Sequence, residues 1–272
     1  MTTIAAGLSA DWLALREPAD AVARAADLAD RVSRPLAERP HIVVHDLGCG
    51  TGSMGRWLAP LLPGSQRWVL YDRDPELLNQ AEQQPPRAAE GADVAVETRL
   101  RDITRLDAAD LNGADLITAS ALLDMLTADE LARLVASCAN ANCPVLMTLS
   151  VIGRVELTPS DAIDTAIDGA FNAHQRRETP HGWLLGPDAV RVAIDMFARR
   201  RADVLVRPSP WTLGPDNGEL LVAWLAGWVG AAREQDPSLA ELAPEYVERR
   251  LDELAAGRLR VMVHHHDFLV LP

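Results

Sequence analysis

The chain has 272 residues with 39 acidic and 26 basic side chains, and its formal net charge is −13 at pH 7. Every basic residue is an arginine, since the sequence holds no lysine. An acidic chain of this kind is a poor electrostatic match for a polyanion, because nucleic-acid binding draws mainly on phosphate neutralisation. With 48% hydrophobic and 24% charged residues, the composition is that of an ordinary globular protein with a full core.

Membrane and secretory classes are not expected. No apolar stretch reaches the roughly 20 residues that span a bilayer. The first ten residues have no basic segment before an apolar run, as a secretory signal would have. The three cysteines, Cys49, Cys138 and Cys143, form no CxxC pair and are too few for a disulfide framework. We therefore expect a reduced, cytoplasmic protein.

The predicted elements begin with helices and continue as an alternation of strands and helices. Residues 11–38 carry apolar side chains at three- and four-residue steps, which indicates two amphipathic helices, the second starting at Pro18. The predicted strands are 41–47, 67–71, 94–100, 115–119, 145–150, 202–207 and 260–271. The predicted helices after the first pair are 54–62, 75–84, 128–140, 188–201, 219–235 and 238–256. This alternation implies right-handed crossovers and a parallel sheet covered on both faces.

The whole chain, residues 1–272, is expected to be a single domain in four parts. The parts are an N-terminal helical cap over 1–40, a core over 41–150, an insertion over 151–187, and C-terminal helices and last strands over 188–272. The insertion is rich in proline and glycine and interrupts the alternation where a helix is due. A long insertion at the carboxyl end of a parallel strand is typical of a lid or a binding segment.

The most informative motif is a glycine-rich turn, His45-Asp46-Leu47-Gly48-Cys49-Gly50-Thr51-Gly52, between a strand and a helix. Glycine is needed where the chain turns sharply out of a strand and where backbone touches a ligand with no Cβ between them. The position that a dinucleotide fingerprint fills with its last glycine holds Ser53. The spacing therefore argues against an NAD site and favours a ligand whose methionine-like tail lies at the loop.

Three motifs in order resemble those of class I S-adenosylmethionine-dependent methyltransferases. They are the loop with its strand (residues 43–52), Val69-Leu70-Tyr71-Asp72, and Leu100-Arg101-Asp102-Ile103, so that the resemblance covers about residues 40–150. It implies a Rossmann-like seven-stranded, mostly parallel sheet with helices on both faces and an antiparallel last strand. It also implies S-adenosyl-L-methionine as the cofactor and methyl transfer as the activity.

Acidic residues at successive strand ends are the expected cofactor ligands. Asp72 ends the second strand, where a carboxylate can accept from both ribose hydroxyls. Asp74 precedes a proline and is expected to cap the next helix. Asp102 is expected to accept from the adenine amino group, with Ile103 packed on the ring. Asp46 is expected to offset the charge of the ammonium or sulfonium group. For each of these carboxylates, a cap or turn role is the alternative.

The remaining cofactor contacts come from the loop and from two more distant segments. Arg16 is expected to reach the carboxylate of the cofactor if the N-terminal helices cover the loop, and a surface ion pair is its alternative. The complete expected set is Asp46, Gly48, Cys49, Gly50, Gly52, Asp72, Arg73, Asp102, Ile103, Ser120 and Arg16.

Two residues are candidates for the catalytic chemistry. Asp124 follows the fourth strand at the carboxyl edge and is a candidate acceptor contact, with a helix N-cap as the alternative. His174, in the insertion, has the pKa range of a general base, and a solvated helix face is its alternative. The run His264-His265-His266 lies in a strand pattern, where alternation sends the middle ring to the opposite face, so no metal site is expected.

The leading functional hypothesis is methylation of a small molecule at oxygen, nitrogen or carbon. Methylation of a protein or an RNA is the second hypothesis, and the net charge argues against RNA. The third is a protein that binds S-adenosylmethionine without turning it over. The glycine motif and its acidic partners support cofactor binding in all three cases and do not distinguish between them.

Overall fold

The computed structural model describes residues 9–272, so the expectation about a signal at the start of the chain falls mostly outside the described residues. The helices are α1 Ala10–Ala23, α2 Ala26–Leu36, α3 Ser53–Leu58, α4 Pro75–Gln83, α5 Ala128–Asn140, α6 Asp164–Gln175, α7 Ala189–Ala198, α8 Gly218–Gln235 and α9 Ala243–Ala255. The strands are β1 His41–Leu47, β2 Ser65–Asp72, β3 Val94–Leu100, β4 Leu116–Ser120, β5 Val145–Thr158, β6 Glu178–Thr179, β7 Gly182–Trp183, β8 Asp203–Pro208, β9 Trp211–Leu213 and β10 Arg260–Leu271. Within residues 9–272, no helix is both long and apolar enough to cross a membrane.

A single large sheet organises the molecule, in the order β3-β2-β1-β4-β5-β10-β8 with β9 paired to β10. The first five strands are mutually parallel, and β10 runs antiparallel to β5 and to β8. Strand order reverses at β1, between β2 and β4. In open α/β sheets, ligands bind beyond the carboxyl ends of the strands at such a reversal. The predicted Rossmann-like fold is confirmed, with the short β9 as an eighth strand.

The sheet is covered on both faces, as predicted. One apolar cluster joins α5 and α7 to residues such as Leu47 and Phe268, and a second joins α2 and α3 to Val44 and Leu269 on the other face. A third cluster lies outside these two layers, where α1, α6, α8 and α9 pack around β9 and the first half of β10. This third cluster places α1 and α6 beside the carboxyl edge of the sheet.

Three predicted boundaries are wrong. Pro18 lies inside α1, and the break between the first two helices falls at Arg24 and Ala25, whose backbone is non-helical. The insertion does not leave the sheet at once, because β5 continues to Thr158 as the partner of the long β10. The last helical pattern divides into a short 3-10 turn, Pro237–Ala240, and α9.

A buried carboxylate fixes the break between α1 and α2. Asp267 is fully buried, and its Oδ2 accepts a hydrogen bond from the backbone N–H of Ala25 at 2.8 Å. Its Oδ1 accepts from the backbone N–H of Leu149 at 2.7 Å and from the hydroxyl of Ser209 at 2.5 Å. Its neighbour His265 is also buried. In the His-His-His-Asp run, His265 therefore packs in the interior, and Asp267 binds three segments of the chain through hydrogen bonds.

Replacing this carboxylate by an amide should destabilise the fold. Asp267→Asn keeps the shape of the side chain but replaces one carboxylate oxygen by an NH2 group, which donates. A backbone N–H that now donates to that oxygen would lose its acceptor, at a cost of roughly 1–3 kcal/mol for an unsatisfied buried group. Urea unfolding at pH 7 measures the change. The control is Asp195→Asn on the exposed side of α7. An unfolding midpoint equal to that of the wild type would show that the hydrogen bond lost in the variant contributes nothing to stability.

Candidate active site

The chain bends sharply out of β1 through three left-handed glycines. The φ angles are +66° at Gly48, +56° at Gly50 and +84° at Gly52, which side chains with a Cβ rarely adopt. Asp72, at the end of β2, holds the bend, because its Oδ2 accepts from the N–H of Gly50 at 2.9 Å. Its Oδ1 accepts from the N–H of Asp74 at 3.0 Å. The structure thus brings together Asp72 and residues 48–52, which we call the glycine loop.

Asp46 lies directly beneath the glycine loop and is almost completely buried. Its Oδ1 accepts a hydrogen bond from the Thr118 hydroxyl at 2.7 Å, whereas its Oδ2 is buried with no partner within residues 9–272. Burial raises the pKa of Asp46 to about 6, although the Thr118 hydroxyl and the Arg24 charge oppose the rise. This unpaired, buried oxygen can accept a hydrogen bond from a ligand.

A buried cation, Arg24, lies beside the glycine loop, and the sequence analysis did not identify it. The residue is only 4% exposed, and its Nη2 donates to the hydroxyls of Ser53 and Ser120, at 3.2 Å each. Its Nε and Nη1 are buried, and over residues 9–272 they have no hydrogen-bond partner. The guanidinium lies over the ring of Trp57, 5.4 Å from the centroid. The helical pattern of residues 11–38 gave no signal for it, because the position of Arg24 depends on the break after α1.

Arg16, the arginine that the sequence favoured, has its guanidinium bound elsewhere. Its Nε and Nη2 donate to the carboxylate of Asp20 at 2.9 and 3.1 Å, and both side chains are buried. The guanidinium lies 4.9 Å from the ring centroid of Trp211, whose Nε1 also donates to Asp20. The ion pair that was its alternative is therefore present, but it is buried rather than on the surface.

The expected adenine contacts are only partly assembled. Asp102 is exposed and caps a short turn, accepting from the N–H and the hydroxyl of Thr104 at 3.0 and 2.7 Å. Ile103 beside it is buried in the sheet core. Arg73 is exposed at the mouth of an open depression next to the end of β2. Asp74 caps α4, as predicted, by accepting hydrogen bonds from the N–H groups of Glu76 and Leu77, the second and third residues of the helix. The adenine contact of Asp102 stays a prediction.

Two further expected residues complete the wall of the glycine loop. Cys49 is buried, its N–H donates to the Tyr71 carbonyl at 2.9 Å, and burial raises the pKa of its thiol. A thiol in this state is a packing group and not a nucleophile. Ser120, at the end of β4, accepts from Arg24 and from the Thr148 hydroxyl, the latter at 3.0 Å. Ser120 thereby connects the arginine to the sheet edge.

Asp124 lies in the turn Leu123–Met125 that follows β4. Thr127 and not Asp124 caps α5, through a capping box with Glu130, so the N-cap alternative is wrong. Leu122, two residues earlier, packs on Gly48, which places this turn against the glycine loop. Burial raises the pKa of Asp124 to about 6, and the nearby charges of Arg16 and Arg177 oppose the rise.

His174 lies on α6, where its Nε2 is 3.2 Å from the Glu234 carboxylate of α8. Burial, followed by the charge of Arg177, lowers the pKa of His174, and the Glu234 carboxylate counteracts the change. The His174 ring thus forms a contact between α6 and α8, two helices of the third cluster. Its role as a general base stays a prediction, as does the acceptor contact of Asp124, whose turn approaches the glycine loop through Leu122.

The helix α1 covers the glycine loop. A Cβ placed on Gly50 would lie 3.0 Å from Leu13 Cδ1. Glu17, one turn further along α1, forms a bidentate ion pair with Arg56 of α3, with N–O distances of 2.7 and 2.5 Å. On its other side, α1 packs on β9 and α8, where Trp12 meets Trp211 edge to face at 6.4 Å. The first helix of the predicted N-terminal cap therefore contacts the glycine loop.

The unpaired atoms at the loop fit the amino-acid end of S-adenosylmethionine. That end carries an ammonium group, which only donates, and a carboxylate, which only accepts. Asp46 offers a free acceptor, and Arg24 offers two free donors. Each of these buried atoms costs about 1–3 kcal/mol when it is left unsatisfied, so a zwitterionic ligand at this point would stabilise them. Across the described part of the chain, no group of three or more side chains is placed to hold a metal ion.

Comparisons with known proteins point to the same chemistry. Residues 44–144 match the family model described as a methyltransferase domain. The fold is similar to that of a cyclopropane synthase from Mycobacterium tuberculosis, at 15% identity and a TM-score of 0.52, over 97% of this chain and 95% of that chain. No curated protein sequence matches the chain.

Two more solved structures are similar over most of their length. One is a mycolic acid cyclopropane synthase complexed with SAH and CTAB, at 14% identity and a TM-score of 0.49, over 91% of this chain and 84% of that chain. The other is a putative type II methyltransferase from Anaeromyxobacter dehalogenans, at 18% identity and a TM-score of 0.49, over 90% of this chain and 94% of that chain.

The domain match shows a methyltransferase domain over residues 44–144, and the predicted resemblance to class I S-adenosylmethionine-dependent methyltransferases is confirmed for that part of the chain. The expected cofactor, S-adenosylmethionine, and the expected activity, methyl transfer, are thereby confirmed. The family assignment leaves the acceptor open.

Arg24 and Arg16 should differ in what they contribute. Arg24→Met removes the unpaired donors at the glycine loop and should weaken binding of S-adenosylhomocysteine by roughly 10- to 100-fold, the scale of a hydrogen bond to a charged group. Arg16→Met should lower stability, because it leaves the Asp20 carboxylate buried without its partner, but should leave the affinity of the folded protein nearly unchanged.

Isothermal titration calorimetry with S-adenosylhomocysteine measures both affinities, and a thermal melt of each variant shows the folded fraction. A loss of affinity in Arg16→Met but not in Arg24→Met would reverse the assignment and restore the expectation from the sequence.

Proposed function

We propose that this methyltransferase acts on a small-molecule acceptor. The observation that carries the proposal is the cover over the carboxyl edge of the sheet. On one side α1 lies over the glycine loop, with Leu13 against Gly50. On the other side the β6–β7 hairpin is joined to the turn that bears Asp124, since Leu185 N–H donates to Leu126 O at 2.9 Å. An edge enclosed from both sides suits a small acceptor better than a nucleic acid or a protein.

The cofactor would lie along the glycine loop between α1 and the ends of β1, β2 and β4. Arg24 would bind its carboxylate and Asp46 its ammonium group, since their free atoms have the matching donors and acceptors. Asp72 would face the ribose, next to the open depression that Arg73 lines. When bound, S-adenosylmethionine supplies an electrophilic methyl group. The protein has to align the acceptor with that group and keep water away from it.

Asp124 would bind the acceptor and take its proton. A general base works best when its pKa lies near the working pH, and burial has raised the pKa of Asp124 to about 6. At neutral pH the carboxylate is mostly ionised and can accept a proton from a hydroxyl or an amine. Arg16 and Arg177, whose charges act on Asp124, would hold it in the ionised form.

Partners and location follow from charge and cysteine chemistry. A net charge of −13 opposes binding to a polyanion, which makes RNA a poor acceptor. All three cysteines are free and buried, and burial raises the pKa of Cys138 and Cys143 to about 12. Free thiols of this kind suit the reducing environment of the cytoplasm, which is the location we propose.

The acceptor class can be tested with a labelled cofactor. The purified enzyme is incubated with methyl-labelled S-adenosylmethionine and with three fractions of a cell extract: metabolites below the dialysis limit, protein, and RNA. We expect the label to enter the metabolite fraction only. A label in protein or RNA would contradict the small-molecule proposal, and a label in none of the fractions would indicate a protein that binds the cofactor without transfer.

The role of Asp124 predicts a pH dependence. Because the base has to be ionised, kcat with the acceptor found above should rise as the pH increases through about 6 and then level off. Asp124→Asn should lower kcat by roughly 10²–10⁴-fold and remove this inflection, since the amide cannot accept the proton. Asp129→Asn, on the exposed first turn of α5, is the matched control. An inflection that persists in Asp124→Asn, or that disappears in His174→Ala, would contradict the role of Asp124.

A further inference from the structure

Three buried oxygen atoms on α6 have no hydrogen-bond partner among residues 9–272. They belong to Asp168 (Oδ1), Asn172 (Oδ1) and Gln175 (Oε1), and each atom is inaccessible to solvent although its residue is partly exposed. Steps of four and then three positions place these side chains on one face of the helix, whereas Ile167 and Phe171 pack in the third cluster. We call the face with the three unpaired oxygens the oxygen face of α6.

The amide of Asn172 fixes the arrangement of this face. Its Nδ2 donates to the Gly153 carbonyl at 3.0 Å and to Asp168 Oδ2 at 3.2 Å. Turning the amide over would set its oxygen against a carbonyl and a carboxylate oxygen, so the orientation of Asn172 is determined. Gly153 is left-handed, with a φ of +73°, and a Cβ there would lie 2.9 Å from Asn172 Oδ1. The bare backbone of β5 therefore allows this close approach.

The charge of Asp168 is poorly compensated. Burial alone raises the pKa of Asp168 to about 6. At Asp46 and Asp124, by contrast, the positive charges of arginines oppose the same rise. A carboxylate that leaves water without a cation beside it loses hydration with no electrostatic gain in return. A ligand that brings a positive charge and N–H donors to the oxygen face would stabilise it.

The oxygen face ends beside the turn that bears Asp124. The charge of Arg177, two residues after Gln175, acts on the Asp124 carboxyl group. Gln175 also packs on Gly186, where a Cβ would lie 3.0 Å from the Gln175 carbonyl carbon. Leu185, next to Gly186, is hydrogen-bonded to the segment that follows the Asp124 turn. One ligand molecule can therefore extend from the oxygen face toward Asp124.

We propose that the oxygen face of α6 binds a protonated amino group of the methyl acceptor. The proposal rests on the small-molecule function and names the class of acceptor: a molecule with an ammonium group besides the atom that receives the methyl group. An ammonium group has three donors and accepts no hydrogen bond, which matches the three unpaired oxygens and the charge of Asp168. A protonated nitrogen has no lone pair to attack the methyl group. The bound ammonium group therefore orients the acceptor, whose reacting atom lies at Asp124.

The charge of the labelled product and the kinetics of Asp168→Asn test this role. We expect the labelled metabolite to be retained on a cation exchanger at pH 7. Asp168→Asn should raise KM for this acceptor by roughly 10- to 100-fold, the scale of a hydrogen bond to a charged group, with kcat and the affinity for S-adenosylhomocysteine nearly unchanged. Glu178→Gln, which removes an exposed negative charge from β6, is the matched control and should change none of these values. A neutral or anionic product, or an unchanged KM, would overturn the proposal.

Thermal melts at pH 8, above the pKa of Asp168, test the site without turnover. Methylammonium chloride should raise the melting temperature of the wild type more than sodium chloride at the same ionic strength, because a ligand of the folded state stabilises it. Asp168→Asn should abolish this difference. Without additive, the variant should melt higher than the wild type, because its amide keeps an oxygen for Asn172 and carries no charge.

A lower melting temperature in Asp168→Asn would show that the carboxylate is structural, and this result would overturn the proposal. Equal effects of the two salts on the wild type would overturn it as well. Stabilisation by magnesium chloride and not by methylammonium would show a metal site in place of an ammonium site. If the metabolite fraction takes up no label, the small-molecule function fails, which is a separate result, and the melts still decide whether the oxygen face binds ammonium.

Discussion

The hydrogen bond from the Gly50 N–H to the Asp72 carboxylate is the interaction on which the site depends. It joins the bend after β1 to the end of β2, at the point where the order of the strands reverses. With three left-handed glycines, the backbone can turn there and still present bare Cα atoms to a ligand. Asp46, Arg24 and the turn that bears Asp124 are arranged around that bend.

The most deeply buried side chains of α1 are charged, whereas its apolar side chains are only partly buried. A helix that caps a site usually buries an apolar stripe, but this one buries Arg16 and Asp20 against Trp211. Such a pair adds little net stability, because desolvation offsets most of the Coulomb attraction. The helix is nevertheless held in a specific position, because Asp20 accepts a hydrogen bond from Trp211 and because Trp12, Leu15, Ala19 and Ala23 pack on the third cluster. The same helix contacts the glycine loop on one side and the β9 and α8 cluster on the other.

The sequence predicts the repeating part of the fold well, and the structure confirms β1, β3, α5 and β10 to the residue. Their period of apolar residues is set by burial against one sheet, which is a local signal. The break after α1 has no such signal. It depends on the Ala25 N–H and Asp267, which are 242 positions apart in sequence, and the local pattern predicts the boundary at Pro18 instead.

The same dependence on long-range contacts determines which residues of the site the sequence can predict. The glycine loop and Asp72 follow from spacing, but the choice between Arg16 and Arg24 depends on where the first helix ends. The most direct test compares, by calorimetry, S-adenosylhomocysteine with 5′-methylthioadenosine, which lacks the amino-acid end. If Arg24 and Asp46 bind that end, the full molecule should bind at least about 100-fold more tightly, since two charged contacts contribute roughly 1.5–3 kcal/mol each. Equal affinities, or no heat with either molecule, would contradict the account.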